Sequence, residues 1–179
     1  MSLTLLLGGA RAGKSSIAVE AAAAWTGPVA VIVTAEIRDE EMAERIRRHR
    51  AHRPSDWETV EEPLELEAAL RSIPEGSLAL VDCLTLWVSN LMEKGFIDEE
   101  IEERAQAAVT TATARVGDTI VVSNEVGSGI VPLSALARRY RDLLGRVNST
   151  WAEASDRTGL VVAGQVLPLS RAHEFWGMR

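Results

Sequence analysis

Gly8-Gly9-Ala10-Arg11-Ala12-Gly13-Lys14-Ser15 constrains this chain more than any other stretch, because it fits G-x-x-x-x-G-K-[ST] at every fixed position. Leu3-Thr4-Leu5-Leu6-Leu7 precedes it, an apolar run of strand length. Ser16 to Trp25 follows, alanine-rich and helix-favouring. Strand, glycine loop and helix thus come in the order a phosphate cradle needs. Glycines let the backbone curl so that its N–H groups point at an anion, and the helix that follows adds its positive end. Lys14 is placed to reach β- and γ-phosphates and the Ser15 hydroxyl to hold Mg²⁺. The competing reading, a glycine-rich turn with an accidental lysine, explains neither flank. The motif reads as a nucleoside triphosphate site, without yet saying what is done with the nucleotide.

The length of 179 residues predicts one domain, 1–179, large enough for a substantial core. No apolar run approaches the ~20 residues that span a bilayer. The leucine-rich start lacks a basic flank, so it reads as a strand and not as a leader. Cys83 is the only cysteine, which fits a reducing cytoplasm. A net charge of −7 argues against a nucleic-acid partner, there being no overall positive field to displace counterions.

Continuous apolar runs read as buried strands at 29–33, 78–82, 119–123 and 159–164, with a short edge strand at 57–63 that ends in carboxylates. Between them lie helical stretches at 39–51, 64–73, 84–92, 98–116 and 133–144, and a further helix starts at Gly145. Strand–helix alternation of this kind predicts an α/β fold with a mainly parallel sheet and helices on both faces. Ligands bind such sheets at the carboxyl ends of the strands. That edge holds Thr34-Ala35-Glu36, Glu61, Asp82 and the turn 124–132. Asp82 is a candidate Mg²⁺ ligand beside Ser15. Thr34–Glu36 reads equally as a plain loop, and 124–132 equally as a substrate loop or a structural turn. Cys83 reads as a small buried filler. The helix at 39–51 places acids in its first turn and bases in its last. Five arginines, Arg45, Arg47, Arg48, Arg50 and Arg53, fall around His49 and His52. This cluster reads as a solvated helix end, as a nucleic-acid patch, or as a triphosphate clamp with a reactive histidine. The upstream phosphate loop favours the last, since transfer chemistry needs charge neutralisation. The tail beyond Gly164 shows no periodicity.

Several stretches together resemble the bifunctional adenosylcobinamide kinase/adenosylcobinamide-phosphate guanylyltransferases. They are the loop 8–15, Arg45-Ile46 with His49, Arg53-Pro54 and Trp57, Thr59 to Pro63, Val81 to Thr85, Ser123 to Pro132, and Arg141-Asp142 with Gly145 to Asn148. Departures are small: Ala12 where the family has Ser, Ser128 where Met is common, and Ser149 where Gln is common. The resemblance implies a P-loop NTPase fold of RecA-like type, a three-layer sandwich. It implies two reactions, phosphorylation of adenosylcobinamide by GTP or ATP and then transfer of GMP from GTP to that phosphate. By the same resemblance His49 carries the GMP, with His52 its rival, and Lys14 is the second catalytic residue. Gly8 to Ser15, Thr34, Ala35, Glu36, Arg50, Ala51, His52, Arg53, Glu61 and Asp82 become nucleotide contacts, and the protein a homo-oligomer. A plain small-molecule kinase and a non-catalytic nucleotide-binding regulator are the alternatives.

Overall fold

The structure is a computed structural model that describes every residue except 37–39, 41, 42, 45, 46, 48, 49, 51, 52, 178 and 179. Its frame is a seven-stranded sheet. The strands are β1 (Leu3–Gly8), β2 (Val29–Val33), β3 (Glu58–Glu61), β4 (Leu78–Asp82), β5 (Thr119–Val122), β6 (Arg157–Val162) and β7 (Gln165–Leu169). Their order is β3-β2-β4-β5-β1-β6-β7, parallel throughout except for the β6–β7 pair. The helices are α1 (Lys14–Ala23), α2 (Leu66–Ser72), α3 (Leu84–Glu93), α4 (Asp98–Ala114), α5 (Ala135–Ala154) and the single turn α6 (Ala172–Phe175). Between β2 and β3, Glu40, Ala43, Glu44, Arg47 and Arg50 are helical.

Alternate residues of each central strand feed two different cores, as the period of two requires. Leu3, Leu5, Ala30, Ile32, Ala79, Val81 and Val121 pack with α2 to α5. Leu6, Val29, Val31, Val33, Leu78, Leu80, Ile120 and Val122 pack with Ala18 and Ala22 of α1. Burial on both faces is why the strands read as unbroken apolar runs instead of alternating ones. The helices divide unevenly between the faces for a topological reason. From β1 the chain moves one way along the sheet to β2, whereas β3→β4, β4→β5 and β5→β6 all move the other way. Right-handed crossovers then put α1 on one face and α2 to α5 on the other.

Two sequence expectations are corrected. The helices expected at 133–144 and from Gly145 are one 20-residue helix, α5, whose Ser134 cap accepts the Ala137 N–H at 3.5 Å. Gly145 costs about 1 kcal/mol against alanine in a helix. Leu143, Leu144, Val147 and Trp151 nevertheless form one fully buried stripe running past it, and that burial decides. The tail said to lack periodicity contains β7, joined to β6 by the two-residue turn Ala163-Gly164 with φ of 50° and 76°. Both central residues are left-handed, as tight hairpins prefer. Alanine stands where asparagine or aspartate would have advertised the turn. β7 is an edge strand exposed at every position, so it also lacks a hydrophobic alternation.

Candidate active site

Parallel pairing brings the strand tips into one row. Glu61 pairs with Val33, Val33 with Asp82, Asp82 with Val122 and Val122 with Leu6. At about 4.8 Å per strand, Asp82 lies roughly 10 Å from the β1 tip that launches the phosphate loop. The loop 8–15, the segment 34–36, Glu61, Asp82 and the turn after Ser123 therefore share the carboxyl edge, as the sequence predicts.

Tight contacts fix the loop's path. A Cβ on Gly8 would stand 2.4 Å from the Val161 carbonyl oxygen of β6. Gly13 has φ 102° and lies against Gly164, whose N–H donates to the Ala12 carbonyl at 2.9 Å. The β6–β7 turn, invisible in the sequence, thus buttresses the loop from behind. Gly8→Ala is expected to destabilise the fold by about 1–3 kcal/mol through overpacking and to weaken nucleotide binding. Thermal melts and a fluorescent-nucleotide titration check this.

Lys14 opens α1 and is 7% exposed. Its ammonium donates to the Gly8 carbonyl at 2.9 Å and the Gly9 carbonyl at 2.7 Å, curled over the cradle it serves. Ser15 is half-buried one residue along. Gly9, Ala10, Arg11 and Ala12 complete the loop, with Arg11 in the left-handed region at φ 58°.

Thr34 is fully buried and clasps two strand tips. Its hydroxyl donates to the Cys83 carbonyl at 2.7 Å and accepts the Cys83 N–H at 3.0 Å. The Thr34 N–H donates to the Asp82 carbonyl at 3.1 Å. Asn90 of α3 had no site role in the sequence reading. Its side-chain amide donates to the Thr34 carbonyl at 2.7 Å and to Pro63 at 3.1 Å, fixing the β2 exit. Ala35 and Glu36 are half-buried beside it, while Glu61 is exposed at the sheet's edge.

Asp82 makes the decisive contact with the arginine segment. Arg53 donates to its carboxylate at 2.6 Å, and the two side chains are 6% and 13% exposed. A pair this dry ties the segment that follows His52 to the tip of β4, within the row that leads to the loop. Losing either residue would cost the other a close, nearly dry partner. Arg50 is helical and exposed three residues earlier. His49, Ala51 and His52 lie outside the described residues, as do Arg45 and Arg48.

Cys83 follows Asp82 and begins α3. Burial, then the Asp82 charge, push its thiol up to about 11 from 9.0. The folded state therefore holds the proton more tightly than the unfolded chain does. This contribution is fully present below about pH 9 and is lost as pH rises to about 11. Iodoacetamide at pH 8 is expected to label Cys83 slowly in the folded protein and quickly in denaturant, read by intact mass.

Ser15 and Asp82 offer a hydroxyl and a carboxylate, hard oxygen donors of the kind Mg²⁺ takes along with substrate phosphates. Their donor chemistry suits the ion, and the Asp82 carboxylate also accepts from Arg53.

With this geometry in place, comparison with known proteins is direct. Residues 4–169 match the CobU family, cobinamide kinase / cobinamide phosphate guanyltransferase. The chain belongs to this family. It is 45% identical over 168 residues to the bifunctional adenosylcobalamin biosynthesis protein CobP of Pseudomonas aeruginosa, covering 92% of this chain and 95% of that protein. It is 37% identical over 175 residues to the bifunctional adenosylcobalamin biosynthesis protein CobU of Escherichia coli, covering 90% and 96%. Among solved structures, an ATPase from the type III secretion system of pathogenic bacteria superposes with a TM-score of 0.60 at 9% identity, over 98% of this chain and 53% of that one. That likeness concerns the fold alone, and it agrees with the expected phosphate-loop α/β architecture. Nearly full-length family membership makes this CobU-type chain a bifunctional transferase, and a kinase without the second activity is not favoured.

Proposed function

We propose that the chain phosphorylates the aminopropanol hydroxyl of adenosylcobinamide with a nucleoside triphosphate, GTP or ATP. It then transfers GMP from GTP to the new phosphate, giving adenosylcobinamide-GDP and pyrophosphate. The observation that carries this reading is convergence: the phosphate loop with Lys14 and the arginine segment through Arg53–Asp82 meet on one sheet edge.

In the second reaction a neutral His49 imidazole nitrogen attacks the α-phosphorus of GTP. The bond to the β-phosphate oxygen breaks and pyrophosphate leaves. A phosphate oxygen of adenosylcobinamide phosphate then attacks the same phosphorus, breaking the P–N bond and freeing the histidine. Imidazole is a competent nucleophile near neutral pH, and a covalent intermediate divides one hard displacement into two. Lys14, Arg50 and Arg53 supply positive charge to the equatorial oxygens and the departing pyrophosphate. Backbone N–H groups of residues 8–13 hold the phosphates, with Ala35, Glu36, Ala51, His52 and Glu61 lining the nucleotide and the buried Thr34 fixing the strand exit beneath them. Mg²⁺, held by Ser15 and Asp82, would neutralise phosphate charge.

We also propose one functional unit, 1–179, working in the cytoplasm as a homo-oligomer. No described helix is long and apolar enough to cross a membrane. Ile130, Leu133 and Leu136 are 97%, 99% and 65% exposed, and Phe175 and Trp176 more than 70%. An exposed apolar set of this size fits burial against another copy. The test is incubation with adenosylcobinamide, Mg²⁺ and α-labelled GTP. Label is expected in adenosylcobinamide-GDP, and corrinoid phosphate without labelled product would leave only the kinase.

A further inference from the structure

The turn after β5 is held by a set of part-buried contacts that the reaction scheme does not use. The Asn124 N–H donates to the Thr85 hydroxyl of α3 at 2.7 Å. The Tyr140 hydroxyl of α5 donates to the Thr85 carbonyl at 3.1 Å. The Asn148 side-chain amide, also on α5, donates to the Asn124 carbonyl at 3.0 Å. Both faces of residue 124 are thus pinned, one to each helix. Thr85 and Asn148 are 8% and 5% exposed, so these part-buried bonds are shielded in part from water.

The next residue reaches the phosphate loop. The Glu125 N–H donates to the Gly8 carbonyl at 3.0 Å, and this is the carbonyl that accepts from the Lys14 ammonium at 2.9 Å. The Glu125 carboxylate folds back on its own turn, accepting the Gly127 N–H and, at 3.0 Å, the Ser128 N–H. Gly8 therefore has two donors of different kinds. One is the Lys14 ammonium, which the proposed reactions turn towards a phosphate. The other is a main-chain N–H whose position is dictated by residue 124.

We propose that Thr85, Tyr140 and Asn148 are positioning residues that lock the Asn124–Glu125 backbone so that it holds the Gly8 peptide when Lys14 turns to the nucleotide. None of the three side chains is among the residues assigned above to the nucleotide. The lock acts through two peptide units and sets the geometry of the first residue of the cradle. Positioning at this level is costly to lose, because displacement by about 1 Å can lower rates by ~10²-fold. The inference rests on the two-reaction reading for its kinetic test, but not for its structural one.

Thr85→Val keeps the shape and removes the acceptor, and Thr85→Ser keeps the acceptor. In Thr85→Val, kcat is expected to fall ~10-fold or more in both reactions. KM for the corrinoid should stay within about twofold, since the proposed lock acts through the phosphate cradle. Amide exchange at Asn124 and Glu125 should quicken by at least ~10-fold as the pinned peptides open. Thr85→Ser should restore both rate and protection. Should Thr85→Val not fold, Tyr140→Phe and Asn148→Ala serve in its place with the same pattern of lowered kcat and lost protection. Unchanged kcat, unchanged exchange at 124–125, or a serine variant as impaired as valine would overturn the lock. Wild-type protein that turns over neither substrate would instead overturn the assigned reactions. The exchange comparison would still decide the lock.

Discussion

Lys14→Ala is expected to cripple both reactions, lowering kcat/KM for each by ~10²–10³-fold, because each needs the same triphosphate held. A single positioned cation or donor at developing phosphoryl charge contributes about 3–4 kcal/mol, and Lys14 is set for that role. It is buried at the first turn of α1 and bonded to two carbonyls of its own loop, so its stem is already aligned over the cradle. Removing it also leaves the Gly8 and Gly9 carbonyls without that donor, which reinforces the loss. Lys14→Arg is expected to rescue little, since a planar fork does not replace a compact ammonium in so tight a space. The measurement is parallel steady-state assay of corrinoid phosphorylation and GMP transfer. Either reaction proceeding at near wild-type rate would separate it from the loop.

His49→Asn should divide the two activities. Phosphorylation uses the loop, Mg²⁺ and the corrinoid hydroxyl, and is expected to stay within about threefold of wild type. GMP transfer loses its nucleophile and should fall by ~10³-fold or more, in line with removal of a covalent catalyst. The Arg53–Asp82 pair gives this variant its reference: Asp82→Asn should instead depress both reactions, because it disturbs the clamp and a proposed Mg²⁺ ligand together. A His49 variant with wild-type GMP transfer, alongside a crippled His52 variant, would move the nucleophile three residues on.

Much of this architecture was legible because burial on both faces writes strands as apolar runs. Val29–Val33 is buried at every position and could hardly be anything else. The glycine motif fixed the site's edge, since strand, loop and helix admit only one arrangement. What escaped the sequence had physical reasons. Gly145 looks like a helix break, but its surroundings are open and the stripe from Leu143 to Trp151 carries the helix through. The β6–β7 turn uses Ala163 in a left-handed conformation that local preference disfavours, and what supports it is its packing behind Gly13. Asn90 and Asn148 sit mid-helix, where a polar residue ordinarily faces water. Their partners, Thr34 and Asn124, are distant in sequence and adjacent only once the sheet is ordered. Arg53 was one of five candidate arginines and, with Arg50, one of two that the resemblance set on the nucleotide, but its seat on Asp82 shows only in the fold.

The central claim is that one edge of this sheet both binds a triphosphate and accepts GMP covalently on a histidine of the adjoining arginine segment. Mass spectrometry of the intact protein after incubation with GTP and Mg²⁺, followed by peptide mapping under neutral conditions, tests it most directly. The expected result is one GMP per chain, acid-labile, on His49, and discharged by adenosylcobinamide phosphate. Protein that makes adenosylcobinamide-GDP while never carrying the adduct, or that carries it on a residue outside this segment, would contradict the account.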